Sequence, residues 1–271
     1  MKKYTILFCL MLSFIASPIL AQQTLDLGKN NYNDKQSIVY LQENTFEMKL
    51  HTNGASIGLN FGTIDTYYKT RFWHFSLGEL KHFRETRQSR SLQGNGFGGG
   101  NFRSYIFGKQ NNFFVLRGGY GEKIYFSEKA KTKGVAVGFS YEGGPSIGIL
   151  KPYYLVLRYV PENFGQLNYQ SERYSEDNAQ RFLTNENIFG ADNFTRGLTE
   201  VKFRPGLHAK GALHFDWGAF DEFVKAVEIG MMADVYFQKV PILIESPRTP
   251  GVENQSFFLN LFVNVQFGKR K

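Results

Sequence analysis

The 271-residue chain has one cysteine, two tryptophans and eight prolines. Beyond its N-terminus it has no run of about 18 apolar residues. Each shortage excludes something. The only cysteine, Cys9, lies in the N-terminal apolar segment. Once that segment is removed the chain has no thiol, which excludes disulfides, thiolate catalysis and cysteine metal sites. The missing apolar run excludes a transmembrane helix in the rest of the chain. Helix signatures are few throughout.

Aromatic residues and glycine are plentiful, with 27 Phe, 15 Tyr and 28 Gly, and the formal net charge is +8. The pattern is clearest from Glu200 to Trp217. Even positions carry Glu200, Lys202, Arg204, His208, Lys210, His214 and Asp216; odd positions carry Val201, Phe203, Leu207, Leu213, Phe215 and Trp217. Successive side chains of a strand point to opposite faces, so this strand has one charged face and one apolar face. It is also longer than the five or six residues typical of a globular strand. A soluble sheet would turn the apolar face to a core. A transmembrane barrel would turn it to lipid and the charges to a lumen.

Residues 1–21 read as a secretory signal peptide: Lys2 and Lys3, then a mostly apolar stretch from Tyr4 to Leu20, then the small Ala21. Residues 22–44 are rich in Asn, Gln, Asp and Lys and read as a periplasmic N-terminal segment. About ten alternating segments follow, with eight or twelve as alternatives. They fall at 45–52, 55–64, 71–82, 102–109, 113–126, 133–142, 146–159, 198–217, 224–238 and 256–267. Asn53-Gly54 is a strong hairpin signal, and Asn111-Asn112 and Gly143-Gly144-Pro145 read as further turns. With this count the long connections fall on one side of the sheet, as in bacterial barrels with short periplasmic turns and long outer loops. The expected architecture is an all-β, transmembrane, antiparallel up-and-down barrel over 45–268, followed by a basic tail at 269–271.

The last strand ends on Val265 and Phe267, close to the chain end. A final strand closing on an aromatic residue resembles the signal by which outer-membrane barrels are inserted. Further segments carry a wider resemblance: Leu50-His-Thr-Asn-Gly54, Lys81-His-x-x-Glu85, Phe107-Gly-Lys-Gln-Asn111, Leu150-Lys-Pro-Tyr-Tyr-Leu155, Gly206–Phe220 and Val265–Lys271. On these the chain resembles outer-membrane β-barrel proteins of the Bacteroidota, a porin-like fold mostly without assigned activity. The resemblance implies residence in the outer membrane and no catalytic residues.

The inward face expected from these strands holds Glu47, Lys49, His51, His74, Glu200, Lys202, Arg204, His208, Lys210, His214, Asp216, Glu228 and Asp234, with Glu142 beside them. A narrow barrel interior is filled by side chains, and buried charges must be paired. The expected lumen is therefore a network of acids and bases, with Glu228 and Asp234 as partners for Lys210 and His214. His208 and His214 are about 20 Å apart along an extended strand and cannot share one metal ion. No metal or cofactor is expected. Gly96–Gly100 lacks the Gly-Lys-Ser/Thr ending of a phosphate loop.

The function these features favour is a non-catalytic structural or scaffold barrel, as a subunit of an envelope protein-assembly or secretion machine. A small-solute pore is the second reading. A lipid-modifying enzyme using His82 and Glu85 is the third. Expected partners are outer-membrane lipid and lipopolysaccharide (through the basic 81–103 loop), the barrel-assembly machinery during insertion, and an envelope protein complex. The compartment excludes nucleic acid.

Overall fold

The structure, a computed structural model, describes residues 40–89, 103–126, 134–159, 168–217 and 221–271. The signal-peptide reading of 1–21, most of the 22–44 segment and the 96–100 glycine run lie outside the described residues. Thirteen strands are described: β1 Gln42–His51, β2 Gly54–Thr66, β3 Lys69–Leu80, β4 Arg87–Gln88, β5 Tyr105–Ile106, β6 Asn111–Tyr125, β7 Ala136–Pro152, β8 Tyr154–Tyr159, β9 Asn168–Arg173, β10 Ile188–Ala191, β11 Lys202–Asp216, β12 Phe223–Tyr236 and β13 Phe257–Arg270.

Eight of them close into an antiparallel barrel in the order β1-β13-β12-β11-β7-β6-β3-β2. Every barrel neighbour is also a neighbour in chain order once the small strands are set aside, and β13 returns to pair with β1, Glu43 facing Arg270 and His51 facing Phe262. Among the described residues no helix is long and apolar enough to cross a membrane.

The expectation of ten strands is corrected to eight for two reasons. The segment at 102–109 supplies only Tyr105–Ile106, which pairs with Arg87–Gln88 outside the barrel. The segments at 133–142 and 146–159 are not separated by a turn. β7 runs straight through Gly143-Gly144-Pro145, with Gly143, Gly144 and Pro145 opposite Ala209, His208 and Leu207 of β11. Gly144 allows close approach of strands rather than a reversal. A Cβ on Gly144 would stand 2.2 Å from the Gly118 carbonyl oxygen of β6. Asn111-Asn112 is likewise no turn; both residues open β6 opposite Pro152 and Lys151. In the first hairpin the reversal is at Thr52 and Asn53, and Gly54 is already paired with His51. Gly54 has φ 153°, and a Cβ there would sit 2.1 Å from the Glu79 carbonyl oxygen of β3.

Apart from the first hairpin, the connections of the eight-strand barrel separate by length. At one end are the turn 67–68 and the connections 126–135 and 217–222, together with the start of β1 and the end of β13. At the other are the first hairpin and the long connections 81–110, 153–201 and 237–256. The 126–135 connection thus moves from the long-loop side, where ten strands would place it, to the short side.

The three long connections fold together into a cap. It contains the sheet β10-β8-β9, the β4-β5 ribbon and a short helix, α1 (Ala179–Phe182). Tyr105, Leu155, Leu157, Phe182, Leu183, Ile188 and Ile244 form its core, drawing on all three connections. Arg248 Nη1 ties two of them by donating to the Gln180 carbonyl and to Thr184 Oγ1, each at 3.0 Å. The Asn254 backbone N–H, 2.7 Å from Glu245 Oε1, holds that carboxyl below its ordinary value.

Candidate functional site

The barrel is polar inside and apolar outside. Phe46, Met48, Leu59, Phe75, Leu213, Ile229, Met231, Leu261 and Val263 all lie on the outer wall and are exposed. On β3 the outward residues run Arg71, Trp73, Phe75, Leu77, Glu79, so charge brackets an apolar middle. From Arg71 to Glu79 is about 27 Å of strand, or roughly 20 Å of height at a tilt of ~40°, against an apolar band of ~25 Å on membrane barrels. At the short-loop end the outer charges are themselves paired: Lys69 with Glu122 at 2.9 Å, Arg71 with Asp65, and the Tyr141 hydroxyl with Glu122.

The lumen is layered along its axis. At the cap end an apolar layer closes the mouth. Leu80, Phe113, Val115, Leu150, Tyr236 and Phe258 from five strands meet Val240 and Ile242 from the 237–256 connection, and both of those are fully buried. Below it Arg117 donates twice to Asp234, Nε to Oδ1 at 2.7 Å and Nη2 to Oδ2 at 2.9 Å. This bidentate geometry is the strong form of the pair.

The middle layer is centred on Lys210. Its ammonium lies 3.0 Å from Glu142 Oε2 and 3.2 Å from Glu228 Oε2. It sits 5.9 Å from each of the Phe72 and Phe262 rings. Lys49 pairs with Glu47 at 3.0 Å, and His74 Nε2 lies 3.7 Å from Glu47 and 3.5 Å from Glu142. Asn264 Nδ2 bridges Glu47 and Glu228, donating to both at 2.9 Å. His214 Nδ1 is 3.0 Å from Glu228 Oε1. At the short-loop end Glu43 takes Lys123 at 2.8 Å and Arg270 Nε at 2.8 Å, and Arg270 Nη2 reaches Asp216 at 2.6 Å.

The middle layer is closely packed at Gly121. A Cβ on the inward Gly121 would come within 2.8 Å of Phe72 and 2.7 Å of Glu142. Eight strands enclose an interior that side chains can fill, and here charged side chains fill it. Six lumen carboxylates (Glu43, Glu47, Glu142, Asp216, Glu228, Asp234) face five Lys and Arg (Lys49, Arg117, Lys123, Lys210, Arg270), all buried. A buried set of this kind must be nearly neutral to be tolerated.

Most of the charges expected inside are inside: Glu47, Lys49, His51, His74, His208, Lys210, His214, Asp216, Glu228 and Asp234 are buried. Three are not. Glu200 lies before β11 in a short helical turn, where its carboxylate accepts from the Tyr154 hydroxyl at 2.9 Å and from Arg173. Lys202 is exposed and Arg204 half-exposed at the first residues of β11. The strand begins beyond the lumen, so its first even positions meet water and the cap. Asp234 pairs not with the β11 bases but across the barrel with Arg117.

Sequence reasoning missed Glu43, Arg117, Lys123 and Arg270. Arg270, expected in a basic tail at 269–271, is the last residue of β13 and turns inward. Its even parity, shared with Asn264 and Gln266, was the available signal. Val265 and Phe267 face outward.

The His82–Glu85 pair is occupied by loop structure. The His82 backbone N–H donates to Glu85 Oε1 at 3.1 Å, and Lys109 Nζ binds Glu85 Oε2 at 2.7 Å. Among the described residues no group of three or more His, Cys, Asp or Glu could hold a metal ion.

No protein-family description matches the sequence, and no curated protein does either. Among solved structures the chain is similar to Ail, the attachment invasion locus protein of Yersinia pestis, at 9% identity and a TM-score of 0.33, over 85% of this chain and 95% of that one.

Proposed function

We propose that the protein is an integral outer-membrane β-barrel whose lumen is permanently filled, and that it acts as a non-catalytic scaffold presenting its cap on the outer side. The observation that carries this is the inversion of the barrel wall: charged residues buried within, an apolar belt exposed without. In water such a belt would be an aggregation surface, since soluble monomers rarely expose more than a few hundred Å² of contiguous apolar area. In a bilayer it is solvated by acyl chains. Signal-peptide removal at about residue 21, a terminal insertion signal ending on Phe267, kinship with the Bacteroidota barrels, and service as a subunit of an envelope protein-assembly or secretion machine are parts of the same proposal.

The pore reading is disfavoured by the apolar layer at the mouth and the salt-bridge network below it. Recording from the purified full chain in planar bilayers tests this. The scaffold reading expects no stable openings. Reproducible ohmic steps would establish a pore instead.

A further inference from the structure

A cavity of about 690 Å³ lies outside the barrel wall at the cap end. It is formed where the 81–110 connection, the end of β7 and the 191–194 segment come together. Three segments singled out in the sequence meet here, through Lys81 and Glu85, Lys109, and Lys151 with Tyr153 and Tyr154. Its floor is the outer face of the wall. Asn112 of β6 and Lys151 of β7 are cross-strand partners there, and both point away from the lumen.

The charges of this cavity do not cancel. Lys109 is matched by Glu85 at 2.7 Å, and Lys81 by Glu79 at 3.3 Å. Asp192 is engaged by Ser171, by the Asn193 backbone N–H and by Arg196. That leaves Lys151, Arg87 and Arg103, which have no carboxylate within ion-pair distance among the described residues. Lys151 is the telling one. It is only 3% exposed, and its ammonium rests 4.5 Å over the Phe194 ring. A buried cation is costly unless paired, and a ring face offsets only part of that cost.

Directly below the cavity on the same wall are the exposed apolar residues Leu77, Leu116 and Ile147. An unmatched buried cation thus stands at the upper edge of the apolar belt, backed by two exposed arginines suited to bidentate phosphate contacts.

We infer that this cavity binds the phosphate group of an outer-leaflet glycolipid, with Lys151, Arg87 and Arg103 as its cations and the acyl chains lying along Leu77, Leu116 and Ile147. The site rests on the outer-membrane reading for the source of its ligand, while the phosphate chemistry stands on the cavity alone.

The test uses the full chain in detergent and three probes: bis-phosphorylated lipid A, the same lipid enzymatically stripped of phosphate, and inorganic phosphate. Binding is read by native mass spectrometry. The phosphorylated lipid should bind at least about tenfold more tightly than the stripped one. Lys151→Gln should weaken it by a similar factor, while Lys225→Gln, at the opposite end, should leave it unchanged. Lys151→Met should also lose binding yet unfold at the same urea concentration as the parent or a higher one, because no partner carboxylate is left behind. Equal binding of both lipids, or unchanged binding by Lys151→Gln, overturns the site. Uptake of inorganic phosphate without the lipid overturns the lipid as its source. Membrane residence is decided separately by carbonate extraction, so the two readings fail independently.

Discussion

Lys210 shows how the interior is specified residue by residue. Its ammonium serves two carboxylates on two different strands, Glu142 of β7 and Glu228 of β12, and all three groups are essentially inaccessible. Lys210→Ala therefore leaves two like charges buried without their cation, at a cost of about 3–5 kcal/mol. Lys210→Leu should cost a comparable amount although it restores apolar volume beside Phe72 and Phe262. Three residues along the same strand the requirement is reversed. Leu213 points outward and is 49% exposed, so Leu213→Arg should cost about 2–4 kcal/mol in a bilayer, and Leu213→Ile should be nearly silent. Urea unfolding in lipid vesicles measures all four variants. Tolerance of Leu213→Arg together with harm from Leu213→Ile would mean that the odd face packs against protein.

At the scale of elements, the sequence was readable where a strand keeps one chemistry per face. β1 and β11 come nearest to this, and the inward places of Glu47, Lys49, His51, His208, Lys210, His214 and Asp216 follow from parity alone; Glu43 escaped because β1 begins three residues before the expected strand at 45–52. β6 does not keep one chemistry per face. Its inward residues pass from Phe113 and Val115 in the apolar mouth layer to Arg117 and Lys123 in the charged layers, which hid both cations. Phe258 and Phe262 on the polar parity of β13 have the same origin: the first belongs to the mouth layer, and the second packs on Ala212 and Met232. One strand of the miscount came from Gly143-Gly144-Pro145, where residues that usually reverse a chain instead continue β7; the other came from 102–109, whose two strand residues pair outside the barrel. The cap was not legible, because its core is assembled from three connections far apart in sequence. The corrected topology changes which end Asn112 occupies, so it makes a labelling prediction. Cysteine at Asp177, exposed in the cap, should react with an impermeant maleimide on whole cells, and cysteine at Asp221, in the 217–222 connection, should react only after lysis. The opposite pattern would invert the barrel.

The whole molecule is an inside-out protein: a core of paired charges within a barrel, and a hydrophobic surface without. The two tryptophans make that statement measurable. Trp73 sits in the middle of the outer face of β3, edge-on to Tyr120 at 5.2 Å and 58% exposed; Trp217 follows the end of β11. The direct measurement is tryptophan fluorescence of the Trp217→Phe protein folded into vesicles whose acyl chains carry bromine, with iodide added from the water. Strong quenching of Trp73 by brominated chains and protection from iodide is the result expected for an outer face bathed in lipid. Quenching by iodide with no effect of bromine would place Trp73 in water and contradict the account.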